Sequence, residues 1–269
     1  MKSNFLSLVL SDNQTGTVHS LFTNSFNVIF NGQMIHIGKW EEGVSAFGLV
    51  LAPQHVAALI ADIAVGNRVL LRDNRLVFYT RKQLHTVDLA QLAEYNCRIT
   101  AILSFPKELR TQLGRLPFSE KTDFLSDRCS AAFIDMFINS SLADTNFQTK
   151  FIQHFIGRGN GLTPSGDDML MGILLAEKAK KGNEIWIQTL RDQLTERATT
   201  EVSQAYYQAL FDGYTSSHFV ELLTAVSQAD FSNWHTLIEN ISNYGHTSGW
   251  DTLFGLFIYM ENQKGVIGK

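Results

Sequence analysis

The sequence predicts an α+β protein in which a β-rich part, residues 1–115, packs on a mainly helical part, residues 116–269. Short β-branched and aromatic runs separated by turn residues fill the first part of the chain. After Ser119, apolar residues recur at steps of three and four, which is the period of a helix. No low-complexity linker separates the two parts, so we expect them to be packed together rather than tethered.

Two hairpins are predicted in the β-rich part. Phe26–Phe30 and Gln33–Ile37 flank Asn31-Gly32, a dipeptide typical of the tight turn between paired strands. A second pair of apolar runs, within residues 68–79, flanks Asp73-Asn74 in the same way. Further strands are predicted over Val44–Ala52 and Arg98–Ser104, and a short helix over Gln54–Ile63.

The second part of the chain is predicted to form a set of packed helices. Glu184–Phe211 has apolar residues along one side throughout and therefore predicts one long helix. Shorter helices are predicted over Asn146–Ile156, Phe219–Val226 and Trp234–Ile241, and the last helix from near Ser248 to about Asn262.

Composition excludes several classes of protein. The chain has 269 residues and a formal charge of −4, without clusters of Lys and Arg of the kind that bind nucleic acid. Its two cysteines, Cys97 and Cys129, lie too far apart for a zinc motif and fit a reducing compartment. No apolar run approaches the roughly 18 residues of a membrane-spanning helix, and the first residues lack a signal-peptide core. We therefore expect a cytoplasmic protein that binds neither membrane nor nucleic acid.

Part of the stretch GRGNGLTPSGDDMLMG, residues 157–172, is repeated as a pattern near the C-terminus. Ser165–Gly172 and Ser248–Gly255 share the pattern S-G-x-D-x-L-x-G, in which x is any residue. Each copy follows a Gly-x-Thr sequence, Gly161–Thr163 or Gly245–Thr247, and each opens an apolar helix. Two such matches at the most glycine-rich places of the helical part predict related helix starts that converge on one cleft.

The start of a helix after a glycine-rich loop is suited to an anion. Its first N–H groups have no partner within the helix, and the helix dipole is positive there. Glycine lets the backbone approach a bound group closely. The predicted ligand-binding residues are Arg158, Gly159, Asn160, Gly161, Thr163, Ser165 and Gly166 in the first loop, and Thr247, Ser248 and Gly249 in the second.

The aspartates of the two motifs suggest further chemistry. A carboxylate beside a phosphate repels it unless a cation lies between them, and Mg²⁺ commonly takes that position. Asp167 and Asp168 are therefore candidate metal ligands, with Mg²⁺ as the one candidate cofactor. Asp168, Asp251 and His246 are the candidate catalytic residues, since each can give or take a proton.

A purely structural role explains each of these residues singly. Ser or Asp before an apolar run is an ordinary helix cap, and Thr163-Pro164 is ordinary turn chemistry. Residues 157–168 taken together favour a ligand site, whereas for residues 245–251 both interpretations stay open. Gly172 and Gly255 lie inside their helices, so we expect them to permit close helix packing rather than to contact a ligand.

Gly157–Gly172 followed by Gly245–Gly255 resembles the AllH family, which includes a subunit of oxamate carbamoyltransferase. The resemblance implies a three-subunit transferase of allantoin and purine breakdown that interconverts oxalurate and phosphate with oxamate and carbamoyl phosphate. It also implies an FdrA-like partner, a further carbamoyltransferase subunit and a small anionic substrate. Gly166 stands where some members have histidine, which indicates a role in backbone geometry, and Asn160 stands where some have proline.

The resemblance transfers no established catalytic residue, so two alternatives remain. The first alternative is that the chain is a non-catalytic subunit that completes a complex. The second is that it is a stand-alone Mg²⁺-dependent enzyme acting on a phosphate ligand. In the first case the two loops are interface elements. In the second, Asp167, Asp168 and Asp251 bind the metal.

Overall fold

The computed structural model describes residues 1–141, 144–182 and 184–264. The chain divides into two compact units, Met1–Arg98 with Tyr214–His218, and Ile99–Gly213 with Phe219–Lys269. The strands belong to the first unit and most of the helices to the second, which confirms the α+β class. Residues 99–115, which the sequence analysis assigned to the β-rich part, group with the helical unit.

Nine strands of the described chain form one sheet in the first unit, with the order β8-β7-β6-β2-β3-β4-β5-β1-β9. Neighbouring strands are antiparallel except for the parallel pairs β4–β5 and β1–β9. Two helices, α1 (Leu6–Val9) and α2 (Pro53–Asp62), accompany the sheet. The strands are β1 (Lys2–Ser3), β2 (Gln14–Leu21), β3 (Phe26–Phe30), β4 (Gln33–Lys39), β5 (Gly48–Leu51), β6 (Arg68–Arg72), β7 (Arg75–Tyr79), β8 (Leu84–Asp88) and β9 (Glu94–Tyr95).

Both predicted hairpins are confirmed. Phe30 pairs with Gln33 across Asn31-Gly32, and both turn residues have positive φ, at 49° and 83°. This is the backbone of the tight turn that Asn-Gly favours. The second hairpin, β6–β7, closes on Asp73-Asn74 with the same pairing and positive φ at both turn residues.

Two strand predictions were wrong in extent or kind. The strand predicted over Val44–Ala52 is only β5, because Ser45 O instead accepts a turn hydrogen bond from Gly48 N. The chain predicted as a strand over Arg98–Ser104 forms only an isolated bridge between Arg98 and Tyr214. Beyond the bridge, Ile102 N donates to a carbonyl of the helical unit, so these residues do not join the sheet.

The second unit is built from helices. They are α3 (Lys107–Leu113), α4 (Phe118–Lys121), α5 (Arg128–Asn139), α6 (Thr145–Phe155), α7 (Ser165–Lys180), α8 (Glu184–Glu196), α9 (Glu201–Phe211), α10 (Ser217–Gln228), α11 (Trp234–Ser242) and α12 (Ser248–Lys264), of which α10 begins in the first unit. Within the described chain, none of the helices combines the length and the apolar character that crossing a bilayer requires.

The long helix predicted over Glu184–Phe211 is in fact two helices, α8 and α9. The chain leaves the helical conformation after Glu196, and Thr200 caps α9 by accepting a hydrogen bond from Ser203 N at 3.0 Å. Threonine is favoured at caps and loses rotamer freedom inside helices, so the adjacent Thr199 and Thr200 explain the break.

Helices α7 and α12 lie at the centre of the second unit. Every residue of α7 and, over residues 248–263, of α12 is buried or half-buried, as expected of helices surrounded by others. They cross at two glycines: a Cβ on Gly172 would lie 2.1 Å from Thr252 O, and one on Gly255 would lie 2.0 Å from Met169 O. The predicted packing role of both glycines is confirmed.

Candidate functional site

Helix α7 begins directly against the end of α6. Arg158 N donates to Phe155 O at 3.0 Å, and Gly166 N donates to Arg158 O at 2.8 Å. A Cβ on Gly166 would lie 2.2 Å from Phe155 O, so a larger residue forces the two helices apart. Position 166 therefore serves backbone geometry, as the sequence indicated, and its N–H group is already bonded to the loop.

Helix α12 repeats this arrangement against α11. Tyr244 N donates to Ile241 O at 3.0 Å, and Gly249 N donates to Tyr244 O at 3.1 Å. A Cβ on Gly249 would lie 1.9 Å from Ile241 O. The shared S-G-x-D pattern is thus a structural repeat in which the glycine sets each helix against the one before it.

The two helix starts converge, as predicted. The hydroxyl of Thr163, before α7, and that of Ser248, at the start of α12, are 2.8 Å apart. Asp168 and Asp251 each occupy the fourth position of their helix and are buried, with exposed fractions of 3% and 0%. The two motifs therefore place two buried carboxyl groups where the helix starts meet. We call this region the paired helix starts (residues 163–168 and 247–251).

The surroundings of Asp168 favour its protonated form. Burial raises its pKa well above the ordinary value of 3.8. Hydrogen bonding from Ser248 and Thr163 opposes this shift, whereas the negative charges of Asp251 and Asp167 add to it. The Oδ2 atom of Asp168 is buried and makes no hydrogen bond with any group in the described ranges. A carboxyl group so placed keeps its proton to a higher pH than an exposed aspartate does.

Asp167, its neighbour, has different surroundings. Its Oδ1 accepts hydrogen bonds from Gly157 N at 3.0 Å and from the Tyr207 hydroxyl at 3.1 Å, and its Oδ2 accepts one from the Thr199 hydroxyl. Burial raises its pKa, and these hydrogen bonds oppose the rise. Both oxygens of Asp167 already accept hydrogen bonds from protein donors. Asp167 therefore holds the glycine-rich loop before α7 (residues 157–164, the glycine loop) against α9 and the residues just before it.

The metal prediction for Asp167 and Asp168 stays a prediction. Over residues 1–141, 144–182 and 184–264, no group of three or more His, Cys, Asp or Glu side chains is arranged to hold a metal ion. Asp168 keeps a carboxyl oxygen that protein donors do not occupy, whereas Asp167 does not.

The start of α9 also contacts the glycine loop. The Thr200 hydroxyl donates to Leu162 O, next to the Thr199 bond with Asp167. Sequence reasoning missed Thr199, Thr200 and Tyr207 because it placed them inside one long helix. The adjacent threonines before Glu201 are the signal that could have revealed this helix start.

Two predicted residues have surroundings unlike those of the buried carboxyl groups. Arg158 donates from Nε to His154 O at 3.0 Å, and its guanidinium lies 3.5 Å from Asp127, which caps α5. His246 is exposed in the second loop.

The remaining predicted residues differ in exposure. In the first loop, Gly159 has a φ of +122°, which strongly favours glycine. A ligand in solution can approach the exposed loop, whereas the carboxyl groups lie beneath it. Gly159, Asn160 and Gly161 are exposed, Thr163, Thr247 and Ser248 are half-buried, and Ser165 is buried.

The Tyr207→Phe variant tests whether Asp167 holds the glycine loop against α9. The Tyr207→Phe change removes one donor from a buried carboxyl group, and we expect the free energy of unfolding to fall by about 1–2 kcal/mol. Tyr79→Phe, at a position 42% exposed, is the matched control and should change it by less than about 0.5 kcal/mol. Urea unfolding followed by circular dichroism measures both, and equal values for the two variants would contradict the role.

Comparison with known proteins covers both units. Residues 155–260 match the family model described as oxamate carbamoyltransferase subunit AllH, and residues 1–94 match the AllH family N-terminal domain. No solved structure matches the chain. The first match contains both S-G-x-D motifs, which carried the resemblance. It also contains Thr163 and Ser248, where the starts of α7 and α12 meet. The chain belongs to the AllH family, whose name is that of a subunit of oxamate carbamoyltransferase.

Proposed function

We propose that this chain contributes anion-binding loops and an acid–base group to a carbamoyltransferase that interconverts oxalurate and phosphate with oxamate and carbamoyl phosphate. The observation that carries the proposal is the convergence of two helix starts on Asp168, a buried carboxyl group with a raised pKa. Perturbed carboxyl groups of this kind are typical of acid–base sites. The AllH family name supports a role as one subunit of the enzyme.

The substrates have the charges that these elements suit. Oxalurate, oxamate, phosphate and carbamoyl phosphate are all anions, and helix starts carry partial positive charge. The exposed loop residues Gly159, Asn160 and Gly161 give such anions access to the backbone. Pre-placed N–H groups of this kind stabilise negative charge that develops during transfer.

The reaction requires one proton at a nitrogen atom. A phosphate oxygen attacks the carbamoyl carbon of oxalurate, the bond from that carbon to the bridging nitrogen breaks, and the nitrogen takes a proton to give oxamate. Asp168 is the proposed source of the proton, and in reverse the proposed base, because its surroundings favour the protonated form. Asp251 and the exposed His246 are the alternative groups for this role.

The proposed partners are an FdrA-like subunit and one further carbamoyltransferase subunit, in the cytoplasm, during allantoin degradation. The experiment compares carbamoyl phosphate formation from oxalurate and phosphate by this chain alone, by the two partners alone, and by the three together. We expect activity only in the three-subunit mixture, because the family name describes one subunit of the enzyme and not the whole enzyme.

Other outcomes assign other functions. Partners that are fully active without this chain would make it dispensable for the reaction. Phosphate-ligand turnover by this chain alone that disappears on adding a chelator would favour the stand-alone Mg²⁺-dependent enzyme. Absence of carbamoyl phosphate from every mixture would overturn the proposed reaction.

A further inference from the structure

Strands β6, β7 and β8 lie at one edge of the sheet, and the residues of each strand alternate between a buried and a solvent-facing side. Apolar side chains remain on the solvent-facing side. Tyr79 and Leu84, which pair across β7–β8, are 42% and 61% exposed. We call this side the outer β6–β8 face (alternate residues from 68 to 72, from 75 to 79 and from 84 to 88).

The hairpin that supplies most of this face is strongly basic, although the chain as a whole is acidic. Residues 68–82 contain five Arg and Lys residues and one Asp, a net charge of +4, whereas the whole chain has −4. Arg72 and Arg75 are directly opposite each other across β6–β7, and like charges in such a pair destabilise a sheet. Each lies 3.6 Å from one aspartate, but exposed ion pairs contribute little. An acidic partner would therefore stabilise this face.

Arg68 is held in a position suited to contact with another protein. Its guanidinium lies over the Tyr79 ring, 6.0 Å from the ring centroid, and donates to the Thr15 hydroxyl at 3.3 Å. Neither contact neutralises its charge, and the planar guanidinium matches the geometry of a carboxylate. Arginine and tyrosine are enriched at protein interfaces and among the residues that dominate binding there. The face thus has the composition of an interface.

We propose that the outer β6–β8 face binds an acidic surface of another subunit of the enzyme. The inference rests on the proposed three-subunit assembly but not on the reaction. Residues 1–94 match a family domain of their own, which contains neither S-G-x-D motif. This domain therefore has a role other than forming the paired helix starts, and a family named for one subunit requires a surface that contacts the others.

Binding of the full-length chain to each of the two purified partner subunits tests the proposal, with biolayer interferometry as the measurement. We expect Arg68→Glu to weaken binding to one partner by about 30-fold, the loss typical of a residue that dominates an interface. Leu84→Ser removes apolar area without changing the charge and should weaken the same binding by about fivefold. Arg115→Glu is the matched control, because it makes the same charge change at an exposed residue of the helical unit, and should alter binding by less than about twofold.

The salt dependence provides a second measurement. Raising the NaCl concentration from about 50 mM to about 300 mM should slow the association of wild type much more than that of Arg68→Glu, because salt screens attraction between opposite charges. Arg68 and Leu84 are both exposed, so we expect both variants to fold, and circular dichroism checks this.

Three results would overturn the proposal: a wild-type chain that binds neither partner, Arg68→Glu and Leu84→Ser variants that bind both partners as tightly as wild type, or wild-type dimers that Arg68→Glu abolishes. The last result would assign the face to a second copy of this chain. At saturating partner concentrations Arg68→Glu should recover the wild-type kcat, because the face contains none of the proposed catalytic groups. A wild-type mixture that assembles through this face but forms no carbamoyl phosphate would support the interface and overturn the proposed reaction.

Discussion

Replacing Gly172 by alanine is expected to lower the free energy of unfolding by about 3 kcal/mol, at the upper end for overpacked cores. The added methyl group would lie 2.1 Å from Thr252 O, 2.9 Å from Leu256 N and 3.0 Å from Gly255 Cα. All three are main-chain atoms of α12, so no side-chain rotation relieves the overlap. The helices must move apart, and that movement also separates Asp168 from Asp251.

Gly114→Ala is the matched control for this change. A Cβ on Gly114 would lie 3.4 Å from its two nearest atoms, which is ordinary contact, and its φ of −65° suits alanine. We expect a change of at most about 1 kcal/mol, in the stabilising direction if the alanine fits without strain. Urea unfolding gives both values from the transition midpoints at equal slope. A Gly172→Ala protein as stable as Gly114→Ala would mean that the helix crossing is not tightly packed.

Local rules were sufficient where a few neighbouring residues determine the backbone. Asn31-Gly32 predicted its hairpin because few residues other than glycine and asparagine adopt the turn without strain. The repeated S-G-x-D pattern predicted two related helix starts because each glycine is required by the preceding helix. These constraints act within about ten residues along the chain, so the sequence displays them directly.

Long-range contacts explain what was missed. The apolar side of Glu184–Phe211 continues through Arg197–Thr200, so periodicity alone predicted one helix. Thr199 leaves the helix and bonds to Asp167, 32 residues earlier, and no local pattern displays that contact. The direction of Arg158 was equally hidden, because its guanidinium partner, Asp127, comes from another helix.

Replacing Asp168 by asparagine is expected to lower kcat of the three-subunit enzyme by about 10²–10⁴-fold, the range for loss of an acid–base group. Asparagine has nearly the same shape but does not transfer a proton at neutral pH. Asp73→Asn is the matched control, because Asp73 is exposed and its turn position with a φ of +50° accepts asparagine. Carbamoyl phosphate formation should be unchanged in the control.

The same variant tests the protonation of Asp168 through the pH dependence of stability. Because the folded-state pKa is raised above 3.8, the folded protein holds a proton that the unfolded chain has lost. Wild-type stability should therefore fall as pH rises from that value toward the raised pKa. Asparagine removes this dependence, so Asp168→Asn should gain stability relative to wild type as the pH increases.

Thermal unfolding of wild type and Asp168→Asn between pH 5 and pH 8 measures this difference. A difference in melting temperature that moves in favour of the variant as pH rises would support a buried, protonated carboxyl group. A variant that is much less stable at every pH would indicate that Asp168 mainly holds the helix start together. A difference in melting temperature that is the same at every pH, combined with lost activity, would indicate that Asp168 is ionised. It could then accept a proton from oxamate but could not supply one to the departing nitrogen of oxalurate.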